Sequence, residues 1–169
     1  MSTPEAPEIK REILEWGHMG EATKSLATAI HEDGYRPDVV FAIARGGLIV
    51  AASLAYALGV KNTYTMNVEF YTGVDERLPV PIILPPAPDL VDLGDAKILI
   101  ADDVADTGAT LELVQRFCGE RVGEVRTAAL YEKPHSVVKC DYVWRRTADW
   151  IVFPWSADPP LSAEATRDA

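Results

Sequence analysis

Residues 39–44 read V-V-F-A-I-A, apolar at every position and rich in β-branched side chains. A strand with one wet face alternates. A continuous apolar run belongs to a strand buried on both faces, and therefore to a parallel sheet with helices on each side. The run is broken by Arg45-Gly46-Gly47, after which L-I-V-A-A-S-L-A-Y-A-L (48–58) is apolar nearly all round and closes at Gly59. The pattern returns downstream. Asp95 precedes K-I-L-I-A (97–101), a polar loop follows, and then comes the helical stretch L-E-L-V-Q-R-F-C (111–118), ended by Gly119. Strand, glycine turn and helix in repeated succession imply an α/β fold with a mainly parallel central sheet flanked by helices. Such sheets take ligands at the carboxyl ends of their strands, where both glycine-bearing loops fall.

The remaining chain fits around this unit. Ile9–Trp16 reads as a short strand or extended arm. Met19, Ala22, Leu26, Ala29 and Ile30 recur at helical spacing between Gly17 and Asp33, and Gly34 stops the helix. Residues 62–69 read as a second strand and 70–77, F-Y-T-G-V-D-E-R, as a mobile loop in which Tyr71, Gly73 and Arg77 suit a cover. Five prolines in 79–88 exclude a central strand or a helix and leave an edge segment with a rigid connector. Val125–Tyr131, Asp141–Trp144 and Trp150–Phe153 read as further strands. There is no internal repeat, and 1–169 reads as one domain with loose tails at 1–8 and 157–169.

The net charge of −10 argues against a nucleic-acid partner, whose phosphates need Lys and Arg, but permits a phosphorylated small ligand in a local pocket of donors. Cys118 and Cys140 have no metal-type spacing and read as reduced thiols; His18, His31 and His135 are scattered. The longest near-apolar run, 48–58, is too short to span a bilayer, and the acidic start lacks a leader pattern, so no membrane association and a cytoplasmic location are expected.

The chemistry concentrates at 102–110, D-D-V-A-D-T-G-A-T. Three carboxylates within five positions repel one another and lose hydration, and capping a helix needs only one of them. The second half of the loop opens a helix, whose free N–H groups and dipole favour a phosphate. The first half supplies acceptors for sugar hydroxyls. A phosphate at one end and a diol at the other describe a ribose 5-phosphate. Mg²⁺ bound largely through water would relieve the residual repulsion at Asp102 and Asp103. Arg45-Gly46-Gly47 repeats the logic with exposed backbone amides and a fixed positive charge.

These segments resemble a known family. F-A-I-A-R-G-G-L-I-V-A-A-S-L-A-Y-A-L-G is similar to the pyrophosphate loop of type I phosphoribosyltransferases, and I-L-I-A-D-D-V-A-D-T-G-A-T to their phosphoribosyl diphosphate (PRPP) motif, in the family's order. The resemblance covers roughly residues 9–156 and implies the type I fold with a small hood and a mobile loop. It assigns PRPP to Arg45, Gly46, Gly47, Asp102, Asp103, Ala105, Asp106, Thr107, Gly108, Ala109 and Thr110. Asp106, ahead of Thr107, resembles the 6-oxopurine (xanthine-guanine and hypoxanthine) branch. The adenine branch usually has Ala there, and the pyrimidine-operon regulators Tyr. The resemblance puts Asp106 beside the purine N7 as general base or acid. Y-E-K-P (131–134) assigns Lys133 to the purine O6, and D-W-I-V-F-P-W-S (149–156) assigns Trp150 as the stacking ring and Ile151 as a main-chain contact. Val152 stands where that bacterial branch often carries an acid, and Ser156 replaces its acid after the P-W pair.

The implied activity is purine salvage: PRPP and a 6-oxopurine yield nucleoside monophosphate and diphosphate, with Mg²⁺ as cofactor and a homodimer or homotetramer as the assembly. Two alternatives share the fold: a non-catalytic PRPP-sensing regulator, and a transferase for another nucleobase. A receiver domain beginning at residue 98 is excluded, because only 67 residues follow Asp102 and no Lys follows Asp141 to complete its site.

Overall fold

A computed structural model describes residues 9–71, 80–84 and 86–161. Strands β1 (Arg11–Ile13), β2 (Val39–Ala44), β3 (Asn62–Tyr71), β4 (Val80–Leu84), β5 (Lys97–Ala105), β6 (Glu124–Glu132), β7 (Tyr142–Arg146) and β8 (Trp150–Val152) are joined by helices α1 (Trp16–Glu32), α2 (Gly46–Leu58) and α3 (Ala109–Gly119). Six strands form one sheet in the order β4-β3-β2-β5-β6-β7. Every pairing in it is parallel except the antiparallel edge pair β3–β4. This is the mainly parallel sheet flanked by helices that the strand–glycine–helix pattern implies.

Side-chain alternation along the central strands builds two cores. Val40, Ala42, Leu99, Ala101, Ala128 and Leu130 face α1 and α2, packing on Leu26, Ile30, Val50 and Leu54. Val39, Phe41, Ile98, Ile100 and Ala129 face the other way, onto Leu111, Val114 and Cys118 of α3. Burial of both faces explains why these strands carry no polar alternation.

The topology locates the binding crevice. From β2 the chain passes through α2 to β3, toward one edge of the sheet; from β5 it passes through α3 to β6, toward the other. Right-handed crossovers in opposite directions put α2 and α3 on opposite faces. The carboxyl ends of adjacent β2 and β5 are therefore the switch point, where an open α/β sheet leaves a crevice.

Three expectations change. β5 runs to Ala105, so Asp102 and Asp103 stand on the last turns of the pleat and not in a loop. Helix α3 begins at Ala109 instead of Leu111, because Gly108 in the left-handed region (φ 83°) turns the chain two residues earlier. Phe70 and Tyr71 extend β3, with Tyr71 in register with Val80, so the mobile-loop reading fails for these two residues; 72–77, with Gly73 and Arg77, lie outside the described residues. The proline-rich segment does form an edge strand, β4, where a missing N–H at Pro81 can face outward.

The last strand, β8, leaves the main sheet and pairs in parallel with β1, Glu12 opposite Ile151, forming a two-stranded hood. Leu14 N–H and Trp150 N–H extend the pairing to Val152 O and Lys10 O at 3.0 and 2.9 Å. Arg145 at the end of β7 holds Glu12 at 2.8 Å, and the Tyr131 hydroxyl donates to the same carboxylate at 3.4 Å, tying the hood to the sheet.

Candidate active site

The two glycine loops meet at the switch point. A Cβ on Gly46 would overlap the Asp103 carboxylate, and one on Gly47 would lie 2.6 Å from Ala101 O and 3.2 Å from Asp102 Oδ1. Only glycine at both positions lets the start of α2 close onto the end of β5. Arg45, exposed at the N-cap of α2, follows a cis peptide at Ala44–Arg45.

Asp102 is buried and Asp103 half-buried. Each accepts one short-range bond: Asp103 N–H to Asp102 Oδ1 at 2.9 Å, and Val104 N–H to Asp103 Oδ1 at 2.8 Å. Neither forms a salt bridge among the described residues. Burial first, and the neighbouring Asp103 charge second, push the Asp102 carboxyl well above the ordinary range. Burial also raises Asp103, against opposing hydrogen bonds. The pair is thus a destabilised acceptor set, with one oxygen of each carboxylate not engaged by these backbone N–H groups. It suits sugar hydroxyls or a hydrated cation. Among the described residues no group of three His, Cys, Asp or Glu side chains could cage a metal, so a cation here would keep most of its water.

Beyond Ala105 the loop turns into α3. The N-terminus of α3 has no side-chain cap to its first-turn amides other than a 3.3 Å contact from Ala109 N–H to Thr107 Oγ1. Uncapped amides and the helix dipole make an anion seat. A recess of about 160 Å³ opens there, walled by Asp102, Val104, Thr107, Gly108, Thr110 and Phe70. Phe70 was not among the expected site residues, since the run F-Y-T-G gave no sign that β3 would carry it to the crevice. A larger cavity of about 670 Å³ lies between α2 and β3, lined by Leu48, Ala51, Ala55, Tyr56 and Tyr64, and includes neither carboxylate. Of these two, the smaller recess is the one walled by the carboxylate-bearing segment.

Of the residues expected to meet a base, Lys133 lies next to this recess. Lys133 N–H bonds Ala105 O at 2.9 Å, so the residue leaving β6 sits against the residue before Asp106. Lys133 is buried, and its ammonium donates to the Asp149 carbonyl, just ahead of β8. Trp150 is 65 % exposed and is not a core residue; its ring is open for stacking. Ile151 is half-buried in β8. Asp106 is exposed and meets His135 Nε2 at 3.0 Å. Isolated histidines in the sequence gave no hint of this contact, which only the return of 133–138 to the loop creates. The structure therefore brings Gly46 and Gly47 onto Asp103 and Asp102 at the switch point and sets Lys133 between Ala105 and Asp149; Arg45 is exposed at the start of α2, and Trp150 and Ile151 lie on the hood strand that follows Asp149.

The phosphoribosyl transferase domain family matches residues 10–160. A xanthine-guanine phosphoribosyltransferase of Cereibacter sphaeroides is 32% identical over 156 residues, covering 88% of this chain and 89% of that protein. The crystal structure of a purine phosphoribosyltransferase from Pyrococcus horikoshii superposes with a TM-score of 0.77 at 37% identity, over 90% of this chain and 98% of that one. A xanthine-guanine-hypoxanthine phosphoribosyltransferase of Helicobacter pylori shares the fold, with a TM-score of 0.73 at 18% identity over 94% of this chain and 99% of that one.

Proposed function

This chain belongs to the phosphoribosyltransferase family, and we propose that it is a purine phosphoribosyltransferase acting on a 6-oxopurine: hypoxanthine, guanine or xanthine. The observation that carries the reading is the close approach of Gly46 and Gly47 to Asp103 and Asp102, which joins two anion-binding turns across a carboxylate pair.

In the proposed reaction the purine N9 attacks the anomeric carbon of PRPP. The N9–C1′ bond forms as the C1′–O bond breaks, and its electron pair leaves with diphosphate. The amides of Thr107–Thr110 hold the 5-phosphate at the N-terminus of α3. Asp102 and Asp103 accept from the ribose hydroxyls and place negative charge beside a sugar that becomes cationic. Arg45 and the amides of Gly46 and Gly47 stabilise the departing diphosphate. Asp106 takes the N7 proton, Lys133 donates to O6, Trp150 stacks on the ring and Ile151 meets its edge through the main chain. Asp102 and Asp103 would hold Mg²⁺ through water, and the bound ion would supply counter-charge for the diphosphate. The products are nucleoside monophosphate and diphosphate. Assembly into homodimers or homotetramers and a cytoplasmic location belong to the same proposal, and light scattering of the purified protein tests the first. Among the described residues no helix is long and apolar enough to cross a membrane.

The deciding experiment incubates purified protein with PRPP, Mg²⁺ and a panel of free bases and measures diphosphate. Release with one or more 6-oxopurines, and little with adenine or uracil, is expected. Absence of release with every base would replace the transferase with a PRPP-binding regulator.

A further inference from the structure

The turn from Lys133 to Val138 folds directly against the segment that carries Asp106. Two backbone bonds bracket that residue: Lys133 N–H to Ala105 O and Val137 N–H to Thr107 O, both 2.9 Å. The turn is closed internally by Ser136 N–H to Lys133 O at 3.1 Å and Ser136 Oγ to Val138 O at 2.8 Å. It also fits the space left by the missing side chain of Gly108, where a Cβ would lie 2.5 Å from Ser136 Oγ and 2.8 Å from Val138 N. The midpoint of the turn is thereby placed opposite the midpoint of the loop. Those midpoints are His135 and Asp106.

The imidazole Nε2 lies 3.0 Å from Asp106 Oδ1. A carboxylate oxygen only accepts, so the ring nitrogen is the donor. The other basic side chains in and beside the turn point elsewhere: Lys133 to Asp149 O, and Lys139 to Pro134 O at 3.1 Å and Glu132 Oε1 at 4.0 Å. Both partners are well exposed, at 62% and 64%. A pair so wet adds little to stability. What it fixes is orientation.

We infer that His135 is a positioning residue for the reaction, holding Oδ1 of Asp106 so that Oδ2 is left to receive the purine N7 proton. This rests on the proposed role of Asp106. The N7–H bond breaks with its electron pair staying on the ring, the proton binds Oδ2, and His135 keeps its own hydrogen throughout. A bound base would displace water from the pair and strengthen the bond for as long as Asp106 is charged, which holds the carboxylate in place up to the moment it takes the proton.

The test compares wild type, His135→Ala, His135→Gln, Asp106→Asn and the double variant His135→Ala/Asp106→Asn, each with its melting temperature, using PRPP, Mg²⁺ and the best 6-oxopurine. The wild type is read first: no diphosphate with any base would overturn the transferase assignment and this inference together. Given turnover, His135→Ala should lower kcat roughly tenfold, a fraction of the 10²–10⁴ that a positioned base contributes, with KM for PRPP unchanged. Gln, whose amide donates from nearly the same reach, should restore most of the rate. In the Asp106→Asn background His135→Ala should cost nothing further, because a residue acting through another has no effect once that one is gone. Unchanged kcat in His135→Ala, or an equal loss in both backgrounds, would overturn the inference while leaving the transferase assignment standing.

Discussion

At the residue scale, the carboxylate pair is the feature that stability alone would not retain. Asp102 and Asp103 are raised by burial, so their contribution to folding is fully present below the unfolded carboxylate value of about 4 and is lost as pH rises through the raised folded values. The ligand-free protein should therefore melt higher when one charge is deleted. Asp103→Asn is expected to raise Tm at neutral pH, by about 2–4 °C for each kcal/mol relieved, and to abolish measurable PRPP binding; calorimetry and titration report the two quantities separately. A lower Tm in Asp103→Asn would contradict the reading of the pair as strained. The glycines make the complementary case. Gly108 combines φ 83° with close contact to Ser136, so Gly108→Ala should cost about 1–3 kcal/mol in denaturant unfolding. Gly46→Ala has no such backbone conformation, and its Cβ collides with the Asp103 side chain. It should weaken PRPP binding much more than it lowers Tm.

At the element scale, the sequence was legible where burial dictates pattern and illegible where partners are remote. Continuous apolar runs identify β2 and the first half of β5, and Gly59 ends α2 through its left-handed conformation (φ 71°). The run of carboxylates reads as a loop because adjacent charges disfavour a buried strand. Asp102 and Asp103 nonetheless continue β5, since backbone pairing of Asp102 with Ala129 and of Val104 with Tyr131 carries the ladder onward. No local pattern reveals that Trp150–Val152 pairs with Arg11–Ile13, more than a hundred residues away. The same holds for the ion pair of Glu12 with Arg145, whose guanidinium lies 4.1 Å over the Trp144 ring. That tether fixes the hood on which Trp150 and Ile151 ride. Glu12→Gln or Arg145→Met should raise KM for the base several-fold and leave KM for PRPP unchanged, measured by varying each substrate in turn. Equal change in both constants would show that the tether supports the whole crevice and not the hood.

At the scale of the whole molecule, the switch point between β2 and β5 explains why the turn at 46–47 meets the carboxylates at 102–103: strands that diverge in opposite directions leave their carboxyl ends uncovered. The α/β class followed from two strand–glycine–helix units, whereas the shape of the crevice depended on strand order, which hydrophobic pattern does not encode. The two thiols lie on the buried side of this architecture. Cys118 and Cys140 are both buried, and burial pushes each up to about 12, so neither should react with iodoacetamide at neutral pH until the protein unfolds. Alkylation followed by mass spectrometry across a denaturant series checks this; rapid labelling of the folded protein would contradict the packing of α3 against the sheet. The account as a whole is tested most directly by a crystal structure with PRPP and Mg²⁺ bound. It predicts the 5-phosphate on the amides of Thr107–Thr110 and the ribose hydroxyls on Asp102 and Asp103. A sugar phosphate seated instead in the cavity between α2 and β3, with the carboxylate pair untouched, would contradict it.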